Sequence, residues 1–362
     1  MKLHIIFIGN KFVYNKTLNE YVMRKIEQKI DFIDSIVYFK ESDNSLFLYL
    51  QEELNSDNKI IIVTTKQNFS TIGKLICTAT NDNQVLKNGI LIPQNSTLFQ
   101  DGTYLLEHEN AMVNVLQVDE GQEIPEVLMF DNDSSVTFHV FEEDKETTIA
   151  ILNPIAQTYD VSIDVSQEVS GWLSVHASCN KYGNITKFTD AAKKLLQKSL
   201  IVTPNIVAHV IERLTLAQKK VTFAESCTGG LLAYYFTKNN GTSNILEGSL
   251  VTYSNALKEN WLAVSHDILQ EYGAVSAEVV SEMSDGALNV SDADYALSIS
   301  GIAGEGGGTQ LKPVGTVYIG VRTKNSSKEE HLLFSGDRNY IQDQSAMYAI
   351  KMLLLSDKEL FF

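Results

Sequence analysis

Residues 224–258 read AESCTGGLLAYYFTKNNGTSNILEGSLVTYSNALK, with apolar segments separated by three turns, Ser-Cys-Thr-Gly-Gly, Gly-Thr-Ser and Thr-Tyr-Ser-Asn. A hydrophobic core needs the apolar segments, but it does not need hydroxyls and glycines at each connection. Turns of this kind place hydroxyls and backbone N–H groups at element ends, where a ligand reaches them. KVTFAES reads as a strand entering the first turn, and LLAYYFTK as an apolar helix leaving it. The block is therefore constrained to a strand–turn–helix unit of an α/β fold.

The same alternation organises the rest of the chain. In residues 1–135, strands at 4–8, 33–39 and 59–64 alternate with helices at 15–29 and 46–54, the signature of a parallel sheet covered by helices. After Ile90 the segments shorten; 110–117 alternates apolar and polar residues, and Gly121 and Pro125 break it. Residues 136–203 read as a small α+β unit, with VTFHVF, TIAILNP and YDVSIDVS as strands and a helix at 189–200. Pro204 marks a boundary. Residues 204–362 then carry a helix at 206–218, the 224–258 block, a helix at 277–289, a buried strand at 295–300, a glycine-rich loop, strands at 315–322 and near 331–335, and a terminal helix from about Ile341. The expectation is a multidomain α/β protein divided at 1–135, 136–203 and 204–362.

Composition excludes several functions. A formal net charge of −16 argues against a general nucleic-acid-binding surface, because polyanion affinity rests on clustered Lys and Arg. Cys77, Cys179 and Cys227 are far apart with no CxxC pair, as in a reduced cytoplasmic interior. The seven histidines show no HxH or HExxH spacing, so no dedicated metal site is expected. No apolar run is long enough to span a bilayer, and the opening MKLHIIFIGNK lacks a signal-peptide core. These features point to a soluble cytoplasmic protein without membrane association.

Within Glu225-Ser226-Cys227-Thr228-Gly229-Gly230, the two glycines permit a sharp turn. The first N–H groups of the following helix would then face outward, suited to an anion or an oxyanion. The plainer reading makes Thr228 an N-cap and the glycines a tight connection. Cys227 has no His or Asn partner nearby and reads as a small buried residue. Ser243, after the Asn240-Gly241 turn, either caps a short helix at 244–247 or acts as a nucleophile. Lys258 is either a solvated surface residue or a buried base for a serine hydroxyl, since only desolvation frees its amine near neutral pH. The loop from Ser300 through Gly301 and Gly304 to Gly308 follows a buried strand, at the usual ligand edge of an α/β sheet. It lacks the GK[ST] of a P-loop and the GxGxxG of a dinucleotide site. Arg338, in Ser-Gly-Asp-Arg, either clamps a phosphate or pairs with a carboxylate such as Asp337.

Taken in order, AESCTGGLLA, GTS, VTYSNALK, YGAVSAEVV, ALSISGIAG, KPVGTVYIG and FSGDR resemble the C-terminal domain of the CinA family, the nicotinamide-nucleotide amidase. The resemblance implies hydrolysis of the carboxamide of nicotinamide mononucleotide to nicotinic acid mononucleotide and ammonia, with no metal or cofactor. It implies Ser243 as nucleophile, Lys258 as base and Ser226 as a supporting or oxyanion hydroxyl. Tyr253, Ser300, Gly301, Gly304, Arg338, Thr228 and Gly229 would contact substrate. GTS stands where the family has GSS, and GIAGE where it has GIAGP. The first 200 residues are similar, more faintly, to the molybdopterin-binding-like domain and KH-like domain of full-length members. LHIIFIGNKF and VTTKQNFS lack the glycines and acids of that domain's phosphate and metal site, and EGQEIP replaces a GPP-type turn. An ADP-ribose pyrophosphatase activity found in some members is therefore expected to be lost, leaving a structural or dimerising domain. The resemblance also implies a homodimer. The alternative to an amidase is a non-catalytic scaffold linked to competence or recombination, which would need neither the serine nor the lysine.

Overall fold

The structure is a computed structural model that describes residues 2–30, 32–129 and 134–362. It is a multidomain α/β protein made of two compact units, Met1–Ser135 and Val136–Phe362.

The first unit is built on a six-stranded sheet. Lys2–Ile8 lies between Ser35–Phe39 and Asn58–Thr64, and Ala111–Gln117 extends the parallel set. Thr103–His108 and Ser96–Gln100 complete it in antiparallel fashion. The central strands are apolar on both faces because each side of the sheet has its own buried cluster, one around Phe7, Phe12 and Val22, the other around Leu50, Phe69 and Tyr104. At the carboxyl ends of these strands, Lys11 Nζ pairs with Asp119 at 2.8 Å and Glu120 at 2.7 Å, and the Lys66 N–H donates to Asp119. The chain's own acids thus engage that edge. Among the described residues no group of three or more His, Cys, Asp or Glu side chains is placed to hold a metal ion.

The second unit contains two sheets. In the four-stranded one, Trp172–Cys179 lies between Ser162–Val169 and Ser134–Phe141, with Leu200–Val202 at the edge. Here TIAILNP is not a strand. It lies inside the helix Lys145–Thr158, whose start is fixed by Asp144 accepting from the Thr147 N–H at 2.7 Å. Thr148, Leu152 and Ala156, spaced four apart, are its buried stripe. The β-branched run imitates a strand, but the cap and the burial period decide for helix. Around Pro204 the sheets change while the packing continues: Phe141, Val169, Trp172 and Ile201 share one core cluster with Val210, Phe223, Leu297 and Leu353. Lys351 Nζ donates to the Ser170 carbonyl at 2.7 Å across the same seam.

The five-stranded sheet has the order Leu246–Val251, Val221–Glu225, Tyr295–Gly301, Thr316–Thr323, Ser327–Leu333. The first three strands are parallel and the last two antiparallel. Val221–Glu225 is buried at every position, as a central strand covered on both faces must be. The chain crosses from it to one neighbour and then back to the other, so the carboxyl ends of the three parallel strands form a switch point, the place where open α/β sheets bind ligands. No helix among the described residues is long and apolar enough to cross a membrane.

One glycine sets the position of the helix Asn255–Leu262. A Cβ on Gly286 would lie 1.9 Å from the Leu262 carbonyl oxygen, so the helix Ala277–Val290 can approach only as glycine. Gly286→Ala gains about 1 kcal/mol of helix propensity. Against this, forced overpacking on backbone costs about 3 kcal/mol. The expected result is a net destabilisation of about 2 kcal/mol by urea unfolding.

Candidate active site

Three strand ends meet at the switch point. Val221–Glu225 runs directly into Ser226, whose N–H donates to the Ile299 carbonyl at 3.0 Å. On the other side the Thr252 N–H donates to the Glu225 carbonyl at 2.9 Å, carrying the pairing one step past the strand Leu246–Val251. Thr252 is followed by Tyr253 and by Ser254, which caps the helix Asn255–Leu262 by accepting from the Leu257 N–H. Lys258 lies in that helix with its side chain turned inward, 1% exposed. Its Nζ contacts Ser226 Oγ at 2.9 Å and donates to the Thr252 carbonyl at 2.7 Å. Burial pushes the Lys258 amine down to about 8. An amine near 8 is neutral in roughly a tenth of molecules at pH 7 and in half at pH 8, enough to accept a hydroxyl proton.

The pair opens onto a pocket of about 250 Å³ whose lining includes Ser226, Tyr253, Lys258, Ala274, Gly304 and Arg338. Ser300 and Gly301 also line it, but Ser300 Oγ, on a residue 1% exposed, donates to the Ala274 carbonyl at 2.7 Å and holds the wall in place. Lys312 Nζ straps the glycine-rich loop to the same wall through the carbonyls of Tyr272 and Val275. Arg338 is the first residue of the helix Arg338–Ser356, whose cap is Asp337 accepting from the Tyr340 N–H at 2.8 Å. Asp337 is thereby spent on the helix, and Arg338 Nη2 donates to Tyr253 Oη at 2.9 Å. The guanidinium thus reaches the pocket without a carboxylate partner among the described residues. A Cβ on Gly304 would lie 2.8 Å from Arg338 Nη1, so the absent side chain makes room for the guanidinium.

The geometry corrects three expectations. Ser243 does not meet Lys258. It is exposed in the short helical turn Thr242–Asn244, which precedes Leu246–Val251, whereas Thr252 and the amine lie beyond that strand's far end. The six-residue strand between them is itself about 16 Å long. The serine that faces the amine is Ser226. Second, the N–H groups at the start of the helix Leu231–Thr237 do not face a ligand. The Glu225 carboxylate takes those of Gly230 at 3.0 Å, Leu232 at 3.1 Å and Ala233 at 3.0 Å. Third, Thr228 and Gly229 stand away from the pocket: Thr228 Oγ1 is buried against Glu225 Oε2 at 2.8 Å, and Gly229, with φ of 61°, shapes the turn. Cys227 lines the pocket, but burial drives its thiol up to about 12, so it stays protonated; its carbonyl accepts from Gln342 Nε2.

Residues 204–356 match the CinA C-terminal domain family. Over 152 residues the chain is 46% identical to a CinA-like protein of Thermotoga neapolitana, covering 42% of this chain and 37% of that protein. It is 42% identical over 190 residues to a CinA-like protein of Thermotoga maritima, covering 50% of this chain and 44% of that one. The chain therefore spans less than half the length of these relatives. The competence/damage inducible protein of Agrobacterium tumefaciens, known from its crystal structure, is 34% identical with a TM-score of 0.41, covering 41% of this chain and 92% of that one. Residues 204–356 of this chain are thus a CinA C-terminal domain.

Proposed function

We propose that the C-terminal domain is an amidohydrolase that deamidates nicotinamide mononucleotide with a Ser226–Lys258 pair. The observation that carries this reading is the 2.9 Å contact between Ser226 Oγ and the Nζ of a buried lysine whose amine is held near 8. In the first step neutral Lys258 takes the hydroxyl proton as Ser226 Oγ attacks the carboxamide carbon. The carbonyl π electrons move to oxygen, giving a tetrahedral oxyanion. The resulting ammonium returns its proton to the departing nitrogen, ammonia leaves, and an ester to Ser226 remains. Water, deprotonated by the same amine, cleaves that ester to the carboxylic acid and restores the serine. The Thr252 carbonyl keeps the amine aimed at the serine throughout.

Arg338 and Tyr253 supply the recognition. A guanidinium without a carboxylate partner at the pocket mouth suits the phosphate of a mononucleotide, with which its planar fork forms paired hydrogen bonds. The wild-type protein is expected to release ammonia from nicotinamide mononucleotide in a coupled assay. A folded protein that releases none overturns the reading. Gly304→Ala pushes a methyl into Arg338 Nη1 and is expected to raise KM about tenfold with kcat nearly unchanged, because it disturbs binding away from the reacting atoms.

A further inference from the structure

We propose that Glu225 is a positioning residue that holds nucleophile and base in one frame; the inference rests on the amidase reading above. Glu225 is fully buried, and among the described residues its carboxylate has no cationic partner. It is instead surrounded by donors. Oε2 accepts from Thr228 Oγ1 at 2.8 Å and from the N–H groups of Gly230 at 3.0 Å and Leu232 at 3.1 Å. Oε1 accepts from the Ala233 N–H at 3.0 Å and Ser249 Oγ at 2.9 Å. A carboxylate is the side chain with the acceptor capacity for this ring of donors. An amide in its place would turn two hydrogens toward N–H and O–H groups that have nowhere else to donate.

The consequence reaches the dyad through three short links. The residue after Glu225 is Ser226, so the donors that fix the carboxylate also fix the turn that presents the hydroxyl. Ser249 lies on the neighbouring strand Leu246–Val251, which ties that turn to the strand leading to Thr252. The Glu225 carbonyl accepts from the Thr252 N–H, and the Thr252 carbonyl in turn holds Lys258 Nζ. Loosening Glu225 therefore moves both members of the pair relative to each other. A helix cap of ordinary purpose would stabilise the Leu231–Thr237 helix and leave the base alone; this one is wired to the base.

The test combines ammonia-release kinetics with an NMR titration of the Lys258 amine in protein carrying 13C-ε lysine, for wild type and Glu225→Gln. Near-UV circular dichroism establishes that the variant is folded. The expected result is a fall in kcat of about 30-fold or more with KM within about twofold, since a misplacement near 1 Å at the reacting groups costs up to about 100-fold. The Lys258 titration should also move upward as water reaches the amine. A folded Glu225→Gln with kcat within about threefold and an unmoved Lys258 titration overturns the proposal. If Glu225→Gln does not fold, Ser249→Ala removes one donor outside the pocket, and kcat should fall about threefold to tenfold at constant KM. Full kcat in that variant overturns the proposal equally. Failure of the amidase reading looks different: wild type releases no ammonia, or Ser226→Ala still does. In that case the titration alone decides whether Glu225 sets the environment of Lys258.

Discussion

Ser226→Ala is expected to lower kcat for ammonia release by at least about 10³-fold, whereas Ser243→Ala leaves it within about twofold. The expectation rests on which hydroxyl the amine can reach. Lys258 Nζ is 2.9 Å from Ser226 Oγ, inside the range required for direct proton transfer. Ser243 is at the amino end of the strand whose carboxyl end leads to the base, and no rotamer of either side chain bridges a whole strand. Removal of the Ser226 oxygen leaves substrate binding by Arg338 and Tyr253 in place, so a small residual rate is expected, as when one member of a catalytic unit is deleted. Ser243 is exposed, and its loss should be equally silent in stability, within about 0.5 kcal/mol.

Lys258→Met should remove activity to the same degree, and Lys258→Arg should not restore it, because a guanidinium stays protonated and cannot act as base. In the wild type, kcat/KM should rise with pH through an apparent pKa about 8, the value to which burial brings the amine. The same shift governs stability. Folded Lys258 titrates near 8 and the unfolded residue near 10.5, so between these values the unfolded chain binds more protons and stability rises with pH. Below pH 8 the lysine is charged in both states, and the cost of burying that charge is present in full. Relative to Lys258→Met, which does not titrate, the wild type should therefore gain about 2 kcal/mol between pH 7 and pH 10 in urea unfolding. An unchanged difference would mean that the amine is not desolvated.

Much of this was legible in the sequence, for reasons that differ by residue. The strand–turn–helix at ESCTGG announced itself through the switch from an apolar strand to glycines to a helical apolar run, and the strand and helix are both present. Lys258 was identifiable from the motif around it, though its burial was not, since a lysine four residues after a capping serine fits a solvated helix equally well. The family resemblance points to Ser243 as the partner of Lys258, and spacing along the chain does not show which serine the amine meets. In a parallel pair, however, the residue before a strand and the residue after it lie at opposite edges of the sheet. Ser226, 32 residues away, is adjacent only once Val221–Glu225 and Leu246–Val251 are aligned. Glu225 left no sequence signal of its role, because a carboxylate at a strand end usually faces water. Only the fold turns the helix N–H groups onto it. The strand Trp172–Cys179 has apolar residues that alternate as a half-buried strand should.

Trypsin offers the most direct test of the Ser226–Lys258 pair, because the two serines fall on different peptides: 221–238 carries Ser226, and 239–258 carries Ser243. A turnover mixture with nicotinamide mononucleotide, quenched in acid before the steady state and digested, should carry the acyl adduct on the 221–238 peptide, at Ser226. An adduct on the 239–258 peptide would contradict the assignment.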